Sequence, residues 1–460
     1  MNSAKPGDWV DTAASAREIG NDRFGTRIST DRYTAPAFAE KERDAIWSRV
    51  WQIAGRVDDL PETGDWKEYR ILDQSFVLAR GRDGTIRGFV NACRHRGNPL
   101  CSGSGNAKRG FLCQYHLWSY DLEGRLKGIL RQDAYGDDIE KSEHSLFTVP
   151  VECFAGFIFL NPDPHAAPLM DFIGPDVAEL LAPYHLDRMT TVMDVREGLD
   201  CNWKVVMDAF SEGYHIAGIH PELLRAIDVD GTKARYRFFD DHSVAVAPFE
   251  VANAEHFTPE QQVEGIRGLT ETFPGVARVL PAFDELVAGF RDSGGDLAFP
   301  AGVTARTLLQ QATRATLTEQ GLDVSGLTDA QMSDNHGWFL FPNFFMTIRA
   351  GECHVIMSSP HPDGDPHRCI WHVCSYMYLP EDFRDAVRAA PVEVDDPGSY
   401  KYFLALEQDY EQMPRQQRGL RSNRLEYLSL VGEEIVIAHF HSVLDRYLAV
   451  GRRNVEGASK

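Results

Sequence analysis

The chain has 460 residues, 43% of them hydrophobic and 25% charged, with a formal net charge of −21. That length supports two or three domains with cores of their own, and so acidic a balance argues against a nucleic-acid or membrane-surface binder. The start lacks the apolar centre of a signal peptide and no apolar run is long enough to span a bilayer, so a cytosolic protein is expected, whose eight cysteines are metal ligands or buried thiols rather than a disulfide framework.

The first third reads as β structure. Phe76 to Arg80 and Thr85 to Val90 are runs of strand formers around an Asp83-Gly84 turn. Gly110 to Cys113 is a further strand, Glu123-Gly124 a further turn, and Cys153 to Leu160 one more apolar strand closed by Asn161-Pro162-Asp163-Pro164. A segment and two domains are expected: an N-terminal segment over 1–40 that packs with the last domain, a small all-β domain over 41–165, and a large domain over 166–460.

Within the β domain, Cys93-x-His95 and Cys113-x-x-His116 form two boxes, each with one thiolate and one imidazole beside turn formers. Two thiolates and two imidazoles suit tetrahedral zinc or a two-iron cluster with histidines on one iron. Zinc ribbons usually repeat C-x-x-C, and four unrelated buried residues are the plain alternative. The run from Cys93 to Arg131 is also basic: Arg94, Arg96, Lys108, Arg109, Arg125, Lys127 and Arg131 outnumber Asp121 and Glu123. Such a face can dock an acidic electron carrier, or its arginines can brace the loops.

The stretch "CRHRG" followed by "CQYHLW" resembles the ligand boxes of a Rieske [2Fe–2S] domain, in the form found in the large (alpha) subunit of Rieske non-haem iron, ring-hydroxylating oxygenases. The resemblance implies that Cys93 and Cys113 hold the inner iron and that His95 and His116 hold the outer one. Gln114 and Leu117 stand where the family usually has Pro and Gly. Cys101 has no cysteine in the second box to pair with, unlike respiratory Rieske proteins, and is read as a structural thiol.

A cluster of this kind needs an electron sink. Further on, "NWKVVMDAFSEGYHIAGIHPELL" carries Glu212, His215 and His220. Val205, Val206, Ala209, Phe210 and Gly213 make a helical stripe. Histidines five apart lie about 140° round an ideal helix, but Gly218 and Pro221 predict a helix break between them. His220 then swings back to meet the metal that His215 binds. Two histidines and a carboxylate with open positions form the facial triad of non-haem Fe(II) oxygenases. By resemblance His215 and His220 are iron ligands. Glu212, where many members have Asp, is then the carboxylate that links a cluster histidine of one subunit to an iron histidine of the next. The late stretch "ALEQDYEQMPRQQRGLRS" resembles the family segment that supplies the third ligand, which selects Asp409, with Glu407 and Glu411 as competitors.

The remaining histidines, among them His242, His256, His336, His354, His361, His367, His372, His439 and His441, are read as structural or surface residues. Tyr236 to Phe249, Trp338 to Ile348, His354 to Ser359 and Cys369 to Leu379 read as strands. Pro259 to Thr272 and Thr304 to Glu319 read as helices, and a C-terminal amphipathic helix carries Val436, Phe440, Val443, Leu444, Tyr447 and Leu448. The fold class expected is α+β: an all-β Rieske domain plus the family's helix-grip catalytic domain with an antiparallel sheet. Gly289 to Val303 is either part of the channel mouth or an ordinary surface loop, and Trp203, Met207 and Phe210 belong to the pocket wall or to the core.

No G-x-G-x-x-G follows a strand, so NAD(P)H electrons must arrive through separate proteins, a reductase and in some systems a ferredoxin. The resemblance runs from about residue 41 to 430. It implies the terminal oxygenase of a multicomponent system, carrying a [2Fe–2S] cluster and mononuclear Fe(II). Such an enzyme hydroxylates or dihydroxylates an apolar, aromatic substrate in hydrocarbon catabolism, as a homotrimer or with a small beta subunit. Oxidative N- or O-dealkylation is the alternative. A zinc hydrolase built on Glu212, His215 and His220, or a simple electron carrier, accounts for less of the chain.

Overall fold

The computed structural model describes residues 8–11, 24–135, 139–227, 233–250 and 257–458; His256 lies outside them. The chain divides into one unit over Glu40–Gly174 and a second that joins the segment up to Ala39 with Pro175–Arg453.

The smaller unit is built of short antiparallel strands. Thr148–Val149, Ile86–Val90, Gln74–Arg80, Asp65–Ile71 and Ser104–Asn106 lie in that order in a five-stranded sheet. The Asp83-Gly84 turn joins two of them: Gly84 takes φ +80° and Asp83 Oδ1 accepts the Thr85 N–H. The strand expected over Cys153 to Leu160 is instead a hairpin, Val151–Phe154 with Phe157–Leu160. Ala155 and Gly156, at φ +51° and +81°, make the turn, and positive φ at both central residues matches the twist of the flanking strands. The core gathers Val77, Phe89, Leu100, Phe111, Trp118, Tyr120 and Leu126 around Cys93 and Cys113.

In the larger unit a nine-stranded sheet runs Trp9–Asp11, Arg235–Phe238, His242–Ala247, Asn335–Leu340, Phe344–Arg349, Glu352–Pro360, Cys369–Met377, Thr190–Leu199 and Val392–Val394. All neighbours are antiparallel except the last pair. Two strands expected as single runs, Tyr236 to Phe249 and Trp338 to Ile348, are each two strands. The second is interrupted at Phe341-Pro342-Asn343, where proline has no N–H to give a ladder. Thr258 and Thr304 cap the helices Pro259–Gly268 and Ala305–Glu319 with their hydroxyls on Gln261 N and Thr307 N. Between them lies a helix absent from the expected elements, Pro274–Ala288, whose interior Pro281 disguises it. These three helices close a core around Val263, Leu269, Val279, Phe283 and Leu308. The loop 289–303 lays Phe290, Leu297, Phe299 and Val303 against that same core.

The N-terminal segment is tied in by Tyr33. Its hydroxyl donates to Asp208 Oδ2 at 2.6 Å and lies 2.9 Å from His441 Nε2 on the C-terminal helix Ile435–Ala458. That helix packs Phe440 against Phe339 of the sheet at 4.9 Å. Trp203–Phe210 lies across the sheet, with Phe210 against Phe345 and Trp371. Among the described residues no helix is long and apolar enough to cross a membrane.

Candidate cluster and iron sites

The two boxes of the smaller unit fold as matching turns. Cys93 N donates to Asn98 O and Gly97 N to Cys93 O; Cys113 N donates to Trp118 O and Leu117 N to Cys113 O, all at 2.9 Å. The fifth residue of each turn is left-handed, Gly97 at φ +77° and Leu117 at +59°. This geometry buries both sulfurs and leaves both imidazoles half-exposed, with ring centroids 4.5 Å apart. Burial raises the Cys93 thiol above its ordinary value, and adjacent Cys113 adds to the rise. Tyr120 sets its hydroxyl 3.3 Å from Cys93 Sγ, a bond that works the other way, while the Arg94 N–H donates to the same oxygen. Burial, His116 and Arg96 lower His95, which keeps it neutral. Its Nδ1 is buried without a partner, while Trp118 stacks on the ring. A neutral imidazole with an orphaned nitrogen and two buried thiols is a donor set suited to a soft iron–sulfur group. Among the described residues, the trios that gather closely enough for a single ion lie elsewhere. Cys101 is half-buried on Asn91, and burial pushes its thiol up to about 12.

In the larger unit the helix Trp203–Phe210 starts on Asn202, whose side chain accepts the Lys204 N–H. It ends at Ser211, so the break comes earlier than expected. His215 and His220 flank a separate one-turn helix, Ile216–Ile219. Pro221 opens the turn that follows. The two imidazoles meet at 70°, centroids 5.2 Å apart. Asp409 comes from the helix Leu404–Leu420, its Oδ1 3.1 Å from His220 Nε2 and 3.6 Å from His215 Nε2. The three ligand atoms lie within 4.8 Å of one another. Each histidine is held by its other nitrogen: His215 Nδ1 lies 2.5 Å from Glu212 Oε1, and His220 Nδ1 2.6 Å from Gln408 Oε1. Those acceptors fix the Nδ1–H tautomer and leave both Nε2 lone pairs facing Asp409, the arrangement metal-bound histidines require. Burial opposes charge on His215, but the bond and field of Glu212 outweigh it and raise its pKa; for His220 burial is outweighed by Asp409. Glu407 pairs with Lys401 and Glu411 with Arg415, and neither belongs to the trio that gathers here.

A cavity of about 130 Å³ opens on this trio, lined by Phe210, Phe273, Phe345, Phe403, Ile356 and Leu406 among others. Neither Trp203 and Met207, both core residues, nor any residue of the loop 289–303 is in its wall. His354, read from sequence as a bland structural residue, does line it. Burial holds His354 down to about 3, hence neutral, with Nδ1 on Ser375 Oγ and Nε2 without a hydrogen-bond partner, as is the neighbouring Thr272 hydroxyl. An adjoining cavity of about 100 Å³ shares Phe210 and Phe345 and adds Glu433 and Tyr236 to Glu212. Beside it, Glu434 is pushed up to about 7 by burial and by Glu212, Asp208 and Glu433.

Residues 50–150 match the family model of the Rieske [2Fe–2S] domain, and residues 182–450 match that of the ring hydroxylating alpha subunit (catalytic domain). The architecture is that of a Rieske oxygenase alpha subunit. The chain belongs to the ring hydroxylating alpha subunit family, whose members are Rieske non-haem iron oxygenases. The Rieske domain binds a [2Fe–2S] cluster and the family's catalytic domain binds mononuclear iron. Among relatives, the carnitine monooxygenase oxygenase subunit of Acinetobacter pittii is 31% identical over 43% of this chain and 53% of its own length. The glycine betaine monooxygenase oxygenase subunit of Chromohalobacter salexigens is 30% identical over 50% of this chain and 53% of its own. The chain thus spans about half the length of the curated relatives it matches. The structure of a naphthalene 1,2-dioxygenase with indole bound shares the fold at TM-score 0.66 and 21% identity, over 92% of both chains.

Proposed function

We propose that this chain is the terminal oxygenase component of a multicomponent Rieske system and acts as a monooxygenase that dealkylates a cationic, alkylated amine. The observation that carries this reading is the chemistry of the two adjoining cavities: phenylalanine faces beside Glu212 and Glu433. Aromatic faces attract alkylammonium groups, and desolvated carboxylates strengthen that preference. The relatives that act on carnitine and glycine betaine agree with it. A purely aromatic substrate, the reading first expected, uses the phenylalanines but leaves the carboxylates facing an uncharged guest.

In this reading Cys93, His95, Cys113 and His116 hold the cluster, and His215, His220 and Asp409 hold the iron. When bound, the ferrous ion supplies O2 activation at its open positions. The chain's own residues do the rest. Glu212 and Gln408 hold the imidazoles in the ligating tautomer, the apolar wall keeps out water, and the cavity fixes which carbon next to nitrogen is presented. Hydroxylation of that carbon gives a carbinolamine, which breaks to an aldehyde and an amine. Electrons come from a separate NAD(P)H reductase, directly or through a ferredoxin. The carrier docks on the exposed Arg96, Lys108, Arg109, Arg125, Lys127 and Arg131, and Glu212 links neighbouring subunits of a trimer, with or without a small beta subunit.

The test is product analysis with reductase, NADH and a panel of quaternary ammonium and aromatic compounds. Stoichiometric aldehyde and amine per O2 consumed are expected. A cis-dihydrodiol from naphthalene or biphenyl with no amine released overturns the dealkylase assignment in favour of ring dioxygenation. Reduction by the native carrier that is insensitive to salt overturns the docking face.

A further inference from the structure

A second trio of ligating side chains converges in the larger unit: Asp194, His372 and Cys374. The strands Thr190–Leu199 and Cys369–Met377 pair antiparallel with Asp194 directly opposite Cys374. His372 and Cys374 are two apart on one strand, so the pleat turns both to one face. A directly opposed pair brings its Cβ atoms to about 4.5–5.5 Å. Three donors are thereby set side by side. His372 Nε2 lies 2.7 Å from Asp194 Oδ1 and 3.1 Å from Cys374 Sγ. Cys374 is buried, while Asp194 and His372 keep 12% and 14% of their side chains exposed, enough for an ion to enter. This face is opposite to that of Trp371, whose ring meets Phe210 and Tyr410 on the iron-site side. The trio is therefore separate from the iron site.

The arrangement is not a nucleophile relay. In a relay the carboxylate and the nucleophile take opposite nitrogens of the imidazole. Here both approach Nε2, which has one proton or one lone pair to offer, not both. A cation in the shared space accepts a lone pair from nitrogen, oxygen and sulfur together. We propose that Asp194, His372 and Cys374 form a site for a divalent transition metal of the zinc class, with three protein ligands and one position left for water. The thiolate selects against magnesium and calcium, which take oxygen ligands. The bound ion clasps two neighbouring strands of the large sheet, next to its edge strand Val392–Val394.

The test uses full-length protein carrying its cluster and the substitution Asp409→Ala, so that zinc cannot be retained by the iron-site carboxylate. The protein is dialysed against zinc, desalted and analysed for metals, with cluster iron measured in the same sample. One zinc per chain is expected, with a sulfur neighbour at about 2.3 Å by X-ray absorption. Adding His372→Ala or Cys374→Ser lowers retained zinc by about tenfold or more and removes the sulfur signal, and the isosteric Asp194→Asn weakens retention. Zinc surrounded by nitrogen and oxygen alone, or retained equally by the Cys374→Ser protein, overturns the proposal. Should those variants misfold, the Asp409→Ala chain serves by itself: zinc must slow alkylation of Cys374 by iodoacetamide, mapped by mass spectrometry, and an unchanged rate overturns the site. None of these readouts depends on oxygenase activity.

Discussion

Gln408 Oε1 lies 2.6 Å from His220 Nδ1, while the next residue along the helix, Asp409, meets the other nitrogen of the same ring. One turn of one helix thus supplies both the carboxylate proposed for the iron and the group that orients the histidine beside it. The Gln408 amide nitrogen faces Glu222 Oε2 at 3.4 Å, which fixes the carbonyl end toward the imidazole. Gln408→Leu keeps the bulk and removes the acceptor. Iron retained after desalting should bind about 10- to 100-fold more weakly, with the visible absorption of the cluster unchanged. Unaltered iron affinity would show that the ring is held by packing alone.

The choice of Asp409 over its acidic neighbours is open to a direct comparison. Asp409 is 6% exposed and faces both histidines, whereas Glu407 and Glu411 pair with surface cations. Asp409→Ala should abolish iron retention and turnover together, and Glu407→Ala and Glu411→Ala should leave both within about twofold, since exposed pairs contribute little. Metal analysis and oxygen-uptake rates on the three variants settle the assignment; equal losses would remove Asp409 from the site.

What could be read from sequence and what could not follow from distance along the chain. Cys93, His95, Cys113 and His116 stand in one short stretch, and Glu212, His215 and His220 in another, so local spacing was enough to single them out. Gln408 is 188 residues from His220, and its role depends on the rotation of a helix that contains Pro414. His354 looked like any histidine in a strand of apolar residues; its alternation places it on the cavity face only once the sheet is known. The helix ending at Phe210 rather than between the histidines was missed for another reason. The apolar stripe continues to Gly213, but at Ser211 the hydroxyl takes Met207 O and the backbone N–H falls back on Asp208 O, so the helical ladder does not continue.

Leu117 departs from the family pattern at a position whose backbone demands it should not. Its φ is +59°, its counterpart in the first box is Gly97, and its side chain is 45% exposed, so little burial compensates the strain. A non-glycine residue in this region costs about 1–2 kcal/mol, offset by the extra freedom glycine gives the unfolded chain. Leu117→Gly should therefore raise stability by up to about 1 kcal/mol, read as slower thermal bleaching of the cluster. Gly110→Ala should do the reverse, because an added Cβ would stand 2.0 Å from Tyr120 O.

Tyr120 offers a lever on the electron supply. Its hydroxyl lies 3.3 Å from Cys93 Sγ and favours the form with more negative charge on sulfur. A hydrogen bond of about 1 kcal/mol corresponds to a shift on the order of 40 mV for a one-electron couple. Tyr120→Phe should lower the cluster potential by that amount, measured by redox titration of the reduced-state EPR signal. A potential within error of the parent would mean that the bond does not differ between oxidation states.

Glu434 gives a pH signature. Burial, reinforced by Glu212, Asp208 and Glu433, pushes it up to about 7 from an ordinary value of 4.5. A carboxyl raised on folding binds more protons in the native than in the unfolded state between those two values, so stability falls as pH rises across that window. Glu434→Gln removes the titration while its amide oxygen can still accept the Val431 N–H that Glu434 Oε2 now takes at 2.7 Å. The variant should gain thermal stability relative to the parent progressively from about pH 4.5 to 7, with the full gain above that. Differential melting across pH checks this. Two melting curves that stay parallel from acid to alkaline pH would show that the carboxyl is not held protonated by its surroundings.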